Sequence, residues 1–181
     1  SMARQITFAG GAYDRTQALI DGSLKPEGLE LNWLTLPYHE IWTRMLNYYD
    51  FDASELSLSS YLIGKTDRKP LIAIPVFPAR AFRHSYIFIN TKSGIKEPKD
   101  LTGKRVGLAE FQQTATVWAR GMLQHEYGVS LEKIRWFSWS KSRMDIEMAK
   151  QYDLQPIPAG TKPDQLLMEG ELDAIIGATL F

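Results

Sequence analysis

Cysteine is absent from the 181 residues. Its absence excludes disulfides, thiolate nucleophiles and cysteine-ligated metals. A charge surplus is absent too, because 21 Lys and Arg balance 21 Asp and Glu. Without a basic excess there is no electrostatic footprint for a polyanion, so no nucleic-acid partner is expected. Histidine is scarce, with three in the chain, and no His-x-x-x-His or acidic metal cluster is present. No cofactor is called for, and a divalent metal would have to draw ligands from distant segments such as His84 and Glu55. No apolar run approaches the length of a membrane span. No signal-peptide pattern opens the chain, which predicts a cytoplasmic protein, or a periplasmic one whose leader has been removed.

What is present has an ordinary globular composition, 44% apolar and 23% charged. That suffices for one domain or two small lobes. Ile6–Ala9 reads as a buried strand ended by Gly10-Gly11. Asp14 with Gln17 resembles a capping box before a short helix that Gly22 ends. Leu29–Trp33 alternates as a strand, and His39–Tyr49 carries a helical apolar stripe through Ile41, Trp42, Met45, Leu46 and Tyr49. Strands are expected at Ala53–Leu58, Leu71–Val76 and Tyr86–Asn90, then at Arg105–Leu108, Ile134–Trp139 and Asp173–Gly177. Helices are expected at Thr114–Tyr127, stopped by Gly128, and at Pro163–Glu169, with Pro in the first turn. This order predicts two α/β lobes with mostly parallel sheets. The first would span residues 1–95, a crossover 96–104, and the second lobe 105–181. Thr179-Leu180-Phe181 gives the chain a bare apolar end. We expect the second lobe to be incomplete, the chain to be the front part of a longer protein, and uncovered surface to favour a homo-oligomer.

Several residues stand out chemically. Arg80, Arg83 and His84 follow the stiff Pro75-Val76-Phe77-Pro78 segment at an expected strand end, where open α/β sheets bind ligands. Two guanidinium forks suit a dicarboxylate, although a solvated basic loop explains them equally well. Glu55, Ser57 and Ser59 would share one side of a strand. Glu55 among apolar neighbours needs a partner, either a ligand hydroxyl or an arginine such as Arg44. Gln112, Gln113, Thr114 and Thr116 open the expected second-lobe helix, an anion site or a simple N-cap. Tyr13 and Arg15 hold the matching place in the first lobe. Trp118, Trp136 and Trp139 read better as core than as a ligand wall. His39 and His125 read as helix-end residues, the latter favoured by the helix dipole.

Tyr13–Thr16, Lys25–Gly28, Ser54–Tyr61, Ile74–Pro78 and Phe82–His84 together resemble the 4,5-dihydroxyphthalate decarboxylase family. So do Asp100–Gly107, Val117-Trp118 and Glu126–Gly128. The resemblance implies the two-lobed fold of type 2 periplasmic binding proteins. It implies a carboxy-lyase that decarboxylates a hydroxylated aromatic dicarboxylate without oxidation. Arg15, Arg80 and Arg83, with Tyr13, Ser57, Ser59, Gln113, Thr114 and Thr116, would bind that substrate. Glu55 would take a phenol proton, and His84 would deliver a proton to the ring. The alternative is a solute-binding protein or sensor for a small aromatic carboxylate, because one fold hosts both.

Overall fold

Residues Arg4–Gly10 form β1, and the alternation of Leu29–Thr35 forms β2 beside it, parallel and in register from Arg4↔Leu29 to Gly10↔Thr35. The computed structural model describes residues 2–144 and 147–177, and the side chains of all of these except 147 and 148. Between the two strands lies a short α1 (Gln17–Ile20). After them come α2 (Tyr38–Tyr48), a two-residue β3 (Ala53–Ser54) and α3 (Leu58–Thr66). The sheet runs β2-β1-β3, with Phe8↔Ala53 and Ala9↔Ser54 also parallel. The apolar stripe of α2 closes on it, packing Ile41 with Ala9 and Phe51, flanked by Leu34, Leu36, Trp42 and Met45.

Three expectations change in this unit. Thr16, and not the Asp14–Gln17 pair, supplies the capping contact, its hydroxyl accepting from the Tyr13 N–H at 3.1 Å. The strand expected over Ala53–Leu58 stops at Ser54, because Ser57 caps α3 by accepting from the Ser60 N–H. The run Leu71–Val76 joins no sheet among the described residues, and its Ile72 is 92% exposed. β-Propensity without a paired neighbour does not make a strand.

The chain divides into its two compact units between Ala81 and Phe82, ahead of the crossover expected at 96–104. The reason is β4 (Ile87–Ile89), which pairs antiparallel with β8 (Ala174–Ile176) and so belongs to the second sheet. That sheet also holds β5 (Arg105–Leu108), β6 (Arg135–Ser138) and β7 (Asp153–Pro156), in the order β4-β8-β5-β6-β7. All its other pairings are parallel. Helix α4 (Thr114–His125) follows β5, and α5 (Pro163–Glu169) precedes β8, ending on Gly170 at φ +80°. Only glycine takes that left-handed turn without strain. The core packs Val106, Leu108, Leu123, Ile134, Trp136 and Ile176, with the Trp136 indole N–H donating to the Leu131 carbonyl at 3.0 Å.

Arg105 clasps Asp173, with Nε to Oδ2 at 3.1 Å and a terminal nitrogen to Oδ1 at 3.0 Å, while its backbone N–H also donates to Oδ2. This two-point pair locks β5 to the start of β8. Gly107 leaves room beside it, because a Cβ there would lie 2.7 Å from Leu172 Cδ1 and the leucine side chain would have to shift. The apolar end Thr179–Phe181 lies outside the described residues. Among those residues, no helix is long and apolar enough to cross a membrane.

Candidate functional site

In the first unit, β1 ends at Gly10 and the chain turns through Tyr13, while β3 ends at Ser54 alongside it. This brings Tyr13 and Glu55, 42 residues apart, into contact: the phenol donates to Glu55 Oε2 at 2.9 Å. Glu55 is only 8% exposed, and its other oxygen, Oε1, has no hydrogen-bond partner among the described residues. Ser54 Oγ and Ser60 Oγ are buried in the same state. Ser57 and Ser59 are buried as well, their hydroxyls 3.1 Å apart. They share this region through the N-terminus of α3, not through strand alternation. Burial, and then the Glu55 carboxylate, push the Tyr13 phenol up to about 12. Tyr13 therefore remains a donor across the physiological range.

Arg15 lies over the Tyr13 ring, 5.4 Å from its centroid, and its Nε donates to the Pro78 carbonyl at 2.7 Å. That bond ties the Tyr13 turn to the stiff proline segment, two residues before the exposed Arg80. Arg44 is not the partner of Glu55. It pairs with Glu40 at 3.1 Å and Asp50 at 2.8 Å, on the outside of α2. A buried carboxylate with one donor and one open oxygen can accept from a ligand O–H or N–H.

In the second unit, the expected residues fall into two places. Gln113 is the N-cap of α4, and its side-chain oxygen is buried with no partner among the described residues. Thr114, half-buried, follows it. Thr116 is fully buried and turns its hydroxyl toward the Glu110, Phe111 and Gln113 carbonyls, so it braces the loop from within and does not face a ligand. His84 lies at the other end of α4. Its Nε2 is 4.0 Å from Glu126, the C-cap, and its ring stacks on Phe82 at 4.8 Å. Twelve helical residues set those ends about 18 Å apart. His84 and the α4 N-terminus therefore do not form one cluster. Arg83, beside His84, is half-buried. His39 and His125 are exposed on their helices, Trp118 is 58% exposed, and Trp136 is core.

Sequence reasoning missed a third group. Glu110 Oε2 accepts from Gln112 Nε2, from Arg143 Nε at 2.9 Å and from the Arg143 backbone N–H. Ser142 donates to Gln112 Oε1 at 2.7 Å. The network ties the loop after β5 to the loop after β6. Glu110 and Arg143 are 33 residues apart, and no local motif announces the pair. Among the described residues, no group of three or more His, Asp or Glu is placed to hold a metal.

No family model matches the chain. The 4,5-dihydroxyphthalate decarboxylase of Comamonas testosteroni is 38% identical over 180 residues, covering 96% of this chain and 54% of its own length. The chain thus spans about half of that relative. Among solved structures, the periplasmic aliphatic sulphonate binding protein SsuA of Escherichia coli superposes with a TM-score of 0.61 at 16% identity, over 97% of this chain and 54% of that one. SsuA of Xanthomonas axonopodis pv. citri, bound to MOPS, gives 0.56 at 14%, over 97% and 55%. Likeness at such identities is one of fold, and it is the type 2 periplasmic-binding-protein-like fold. The 4,5-dihydroxyphthalate decarboxylase of Pseudomonas putida is 34% identical over 179 residues, 95% of this chain and 69% of its own length. On that extent of identity, the chain belongs to the 4,5-dihydroxyphthalate decarboxylase family.

Proposed function

We propose that this protein decarboxylates a hydroxylated aromatic dicarboxylate such as 4,5-dihydroxyphthalate, without an oxidant. The observation that carries this reading is Glu55: buried, held by Tyr13, and open at Oε1. A buried anion disfavours a carboxylate beside it and favours a donor. Glu55 therefore suits the hydroxyl end of the substrate.

The chemistry balances. Glu55 draws the proton of a phenol para to one carboxylate, and the oxygen releases electrons into the ring. The ring carbon bearing that carboxylate gains a proton. The bond to the carboxylate carbon then breaks, its electron pair restores aromaticity as the phenolate, carbon dioxide leaves, and Glu55 returns its proton to the phenolate oxygen. Arg15 and Arg80, in the unit that holds Glu55, are the proposed carboxylate partners, and the ring proton is drawn from solvent. Buried donors and forks aimed at developing charge supply most of such a rate. Ser57 and Ser59 complete the hydroxyl side.

The test is release of carbon dioxide from a panel of benzene dicarboxylates. Release is expected from acids carrying a hydroxyl para to a carboxylate, and none from phthalate itself. Tight binding across the panel without carbon dioxide from any acid would overturn the reading in favour of a ligand-binding protein.

A further inference from the structure

Helix α4 has an outward face that takes no part in the proposed mechanism. At about 100° per residue, Val117, Trp118, Gly121, Gln124 and His125 fall within an arc of roughly 120°. Val117 is 39% exposed and Trp118 58%, and Gln124 and His125 are exposed with them. None of these five is Asp, Glu, Lys or Arg. The one such residue in α4, Arg120, turns the other way, its guanidinium carbon 3.6 Å from the Phe111 ring centroid. A solvated helix face ordinarily carries charge. The outside of α2 does, pairing Arg44 with Glu40. An exposed tryptophan on an uncharged face has instead the composition of an interface core.

Gly121 is the second observation. It sits inside α4, where glycine costs stability relative to alanine. A Cβ there would meet nothing within 4 Å, so no neighbour among the described residues requires the missing side chain. Gly64 in α3 differs, because a Cβ there would lie 3.2 Å from Lys69 Cδ. A bare Cα at Gly121 offers close approach from outside, with Val117 and Trp118 one turn before it and Gln124 and His125 one turn after.

We propose that this face is a homodimer contact, α4 packing antiparallel on α4 of a second copy about a two-fold axis at Gly121. The face is self-complementary. Such an axis sets Gly121 against itself, Trp118 against Gln124 of the partner subunit, and Val117 against His125 of the partner subunit. No carboxylate meets a carboxylate there, and no ammonium or guanidinium meets its like. The antiparallel sense also opposes the two helix dipoles, and it brings the first-turn N–H groups of each α4 toward the C-cap Glu126 of the other. A parallel pair would set like ends together. One face of a twelve-residue helix is smaller than the ~800 Å² per partner of a standard interface. The dimer is therefore weak, with a dissociation constant on the order of 10–100 μM.

The experiment is sedimentation velocity over concentrations that bracket that value, joined to cross-linking. The parent should pass from monomer to dimer. Trp118→Asp should weaken the dimer at least about tenfold, as loss of a central anchor does. Gly121→Ala should act with two signs. It should raise the urea midpoint, because the helix gains propensity, and weaken the dimer, because two added methyls meet at the axis. Met168→Ala, at an 83% exposed side chain of α5, should leave the dimer unchanged. Because the chain has no cysteine, single-cysteine variants read the orientation. With a short bismaleimide, Val117→Cys mixed with His125→Cys should cross-link to each other faster than either does to itself. Faster same-site linking would overturn the antiparallel arrangement. A monomer at every concentration would overturn the dimer. A dimer indifferent to both Trp118→Asp and Gly121→Ala would move the contact elsewhere, such as to the exposed run 72–77, and overturn the assignment to α4.

Discussion

In the second unit Val106, Leu108, Ile134 and Trp136 are wholly buried across a five-stranded sheet, whereas the first unit closes three strands over Ala9, Ile41 and Phe51. The first unit also buries a carboxylate and three serines, Glu55 with Ser57, Ser59 and Ser60. Buried polar groups of this kind subtract from stability unless fully bonded, and Glu55 Oε1 is not. The contrast shows where to look for chemistry: in the first unit a thin apolar core surrounds a buried carboxylate whose second oxygen packing alone does not explain.

The largest effect expected from this contrast is that of Trp136→Ala. It should cost about 3–5 kcal/mol, the range for deleting a large ring from a close-packed core. Ile41→Ala in the first unit should cost about 2–3 kcal/mol, because the small cluster around it can relax. Urea unfolding of both variants measures this. A larger loss for Ile41→Ala than for Trp136→Ala would reverse the ranking of the two cores.

A smaller effect separates the units by pH. Burial would raise the Asp173 carboxyl, but its bonds from Arg105 outweigh that and hold it below the usual carboxylate value. Its contribution is therefore full above about pH 4 and lost as pH falls through the depressed value. Tyr13 has the opposite sign. Its phenol is raised to about 12, so its contribution is full below about pH 10 and lost as pH rises toward 12. Urea unfolding across pH should show Asp173→Asn costing about 1–2 kcal/mol at neutral pH, with the gap to the parent closing in acid. Tyr13→Phe should close its own smaller gap only in alkali. A Tyr13→Phe gap that closes in acid would contradict this assignment.

The periodic parts of the fold were legible. Ile41, Met45 and Leu46 mark α2, and β5, α4 and β6 follow from the β pattern that resumes at Arg105–Leu108 after a turn-rich link, a helical stretch stopped by Gly128, and the apolar run Ile134–Trp139. Helix α3 was not legible, because the residues it buries are Ser59, Ser60 and Gly64, which carry no apolar period. Nor was β7, because Asp153-Leu154-Gln155-Pro156 has one large apolar residue and ends in proline. The capture of β4 by the second sheet depends on an antiparallel partner far along the chain, with Phe88 set against Ile175. No local pattern carries such a pairing. In the site, the burial of Glu55 was foreseeable from its apolar neighbours. Its bond to Tyr13 spans 42 residues, and the Glu110–Arg143 pair 33, so both had to await the fold.

Whether the buried Glu55 acts on a substrate hydroxyl, or is merely a packed carboxylate, decides the proposed mechanism. Glu55→Gln separates the two, because the amide keeps the size and still accepts from Tyr13 but cannot take a proton. Carbon dioxide release from 4,5-dihydroxyphthalate and affinity for the same acid would be measured on the parent and the variant. Affinity should stay within several-fold while turnover falls by about 100-fold or more, the scale of losing a general base. Turnover unchanged in Glu55→Gln would contradict the mechanism and leave Glu55 a structural group.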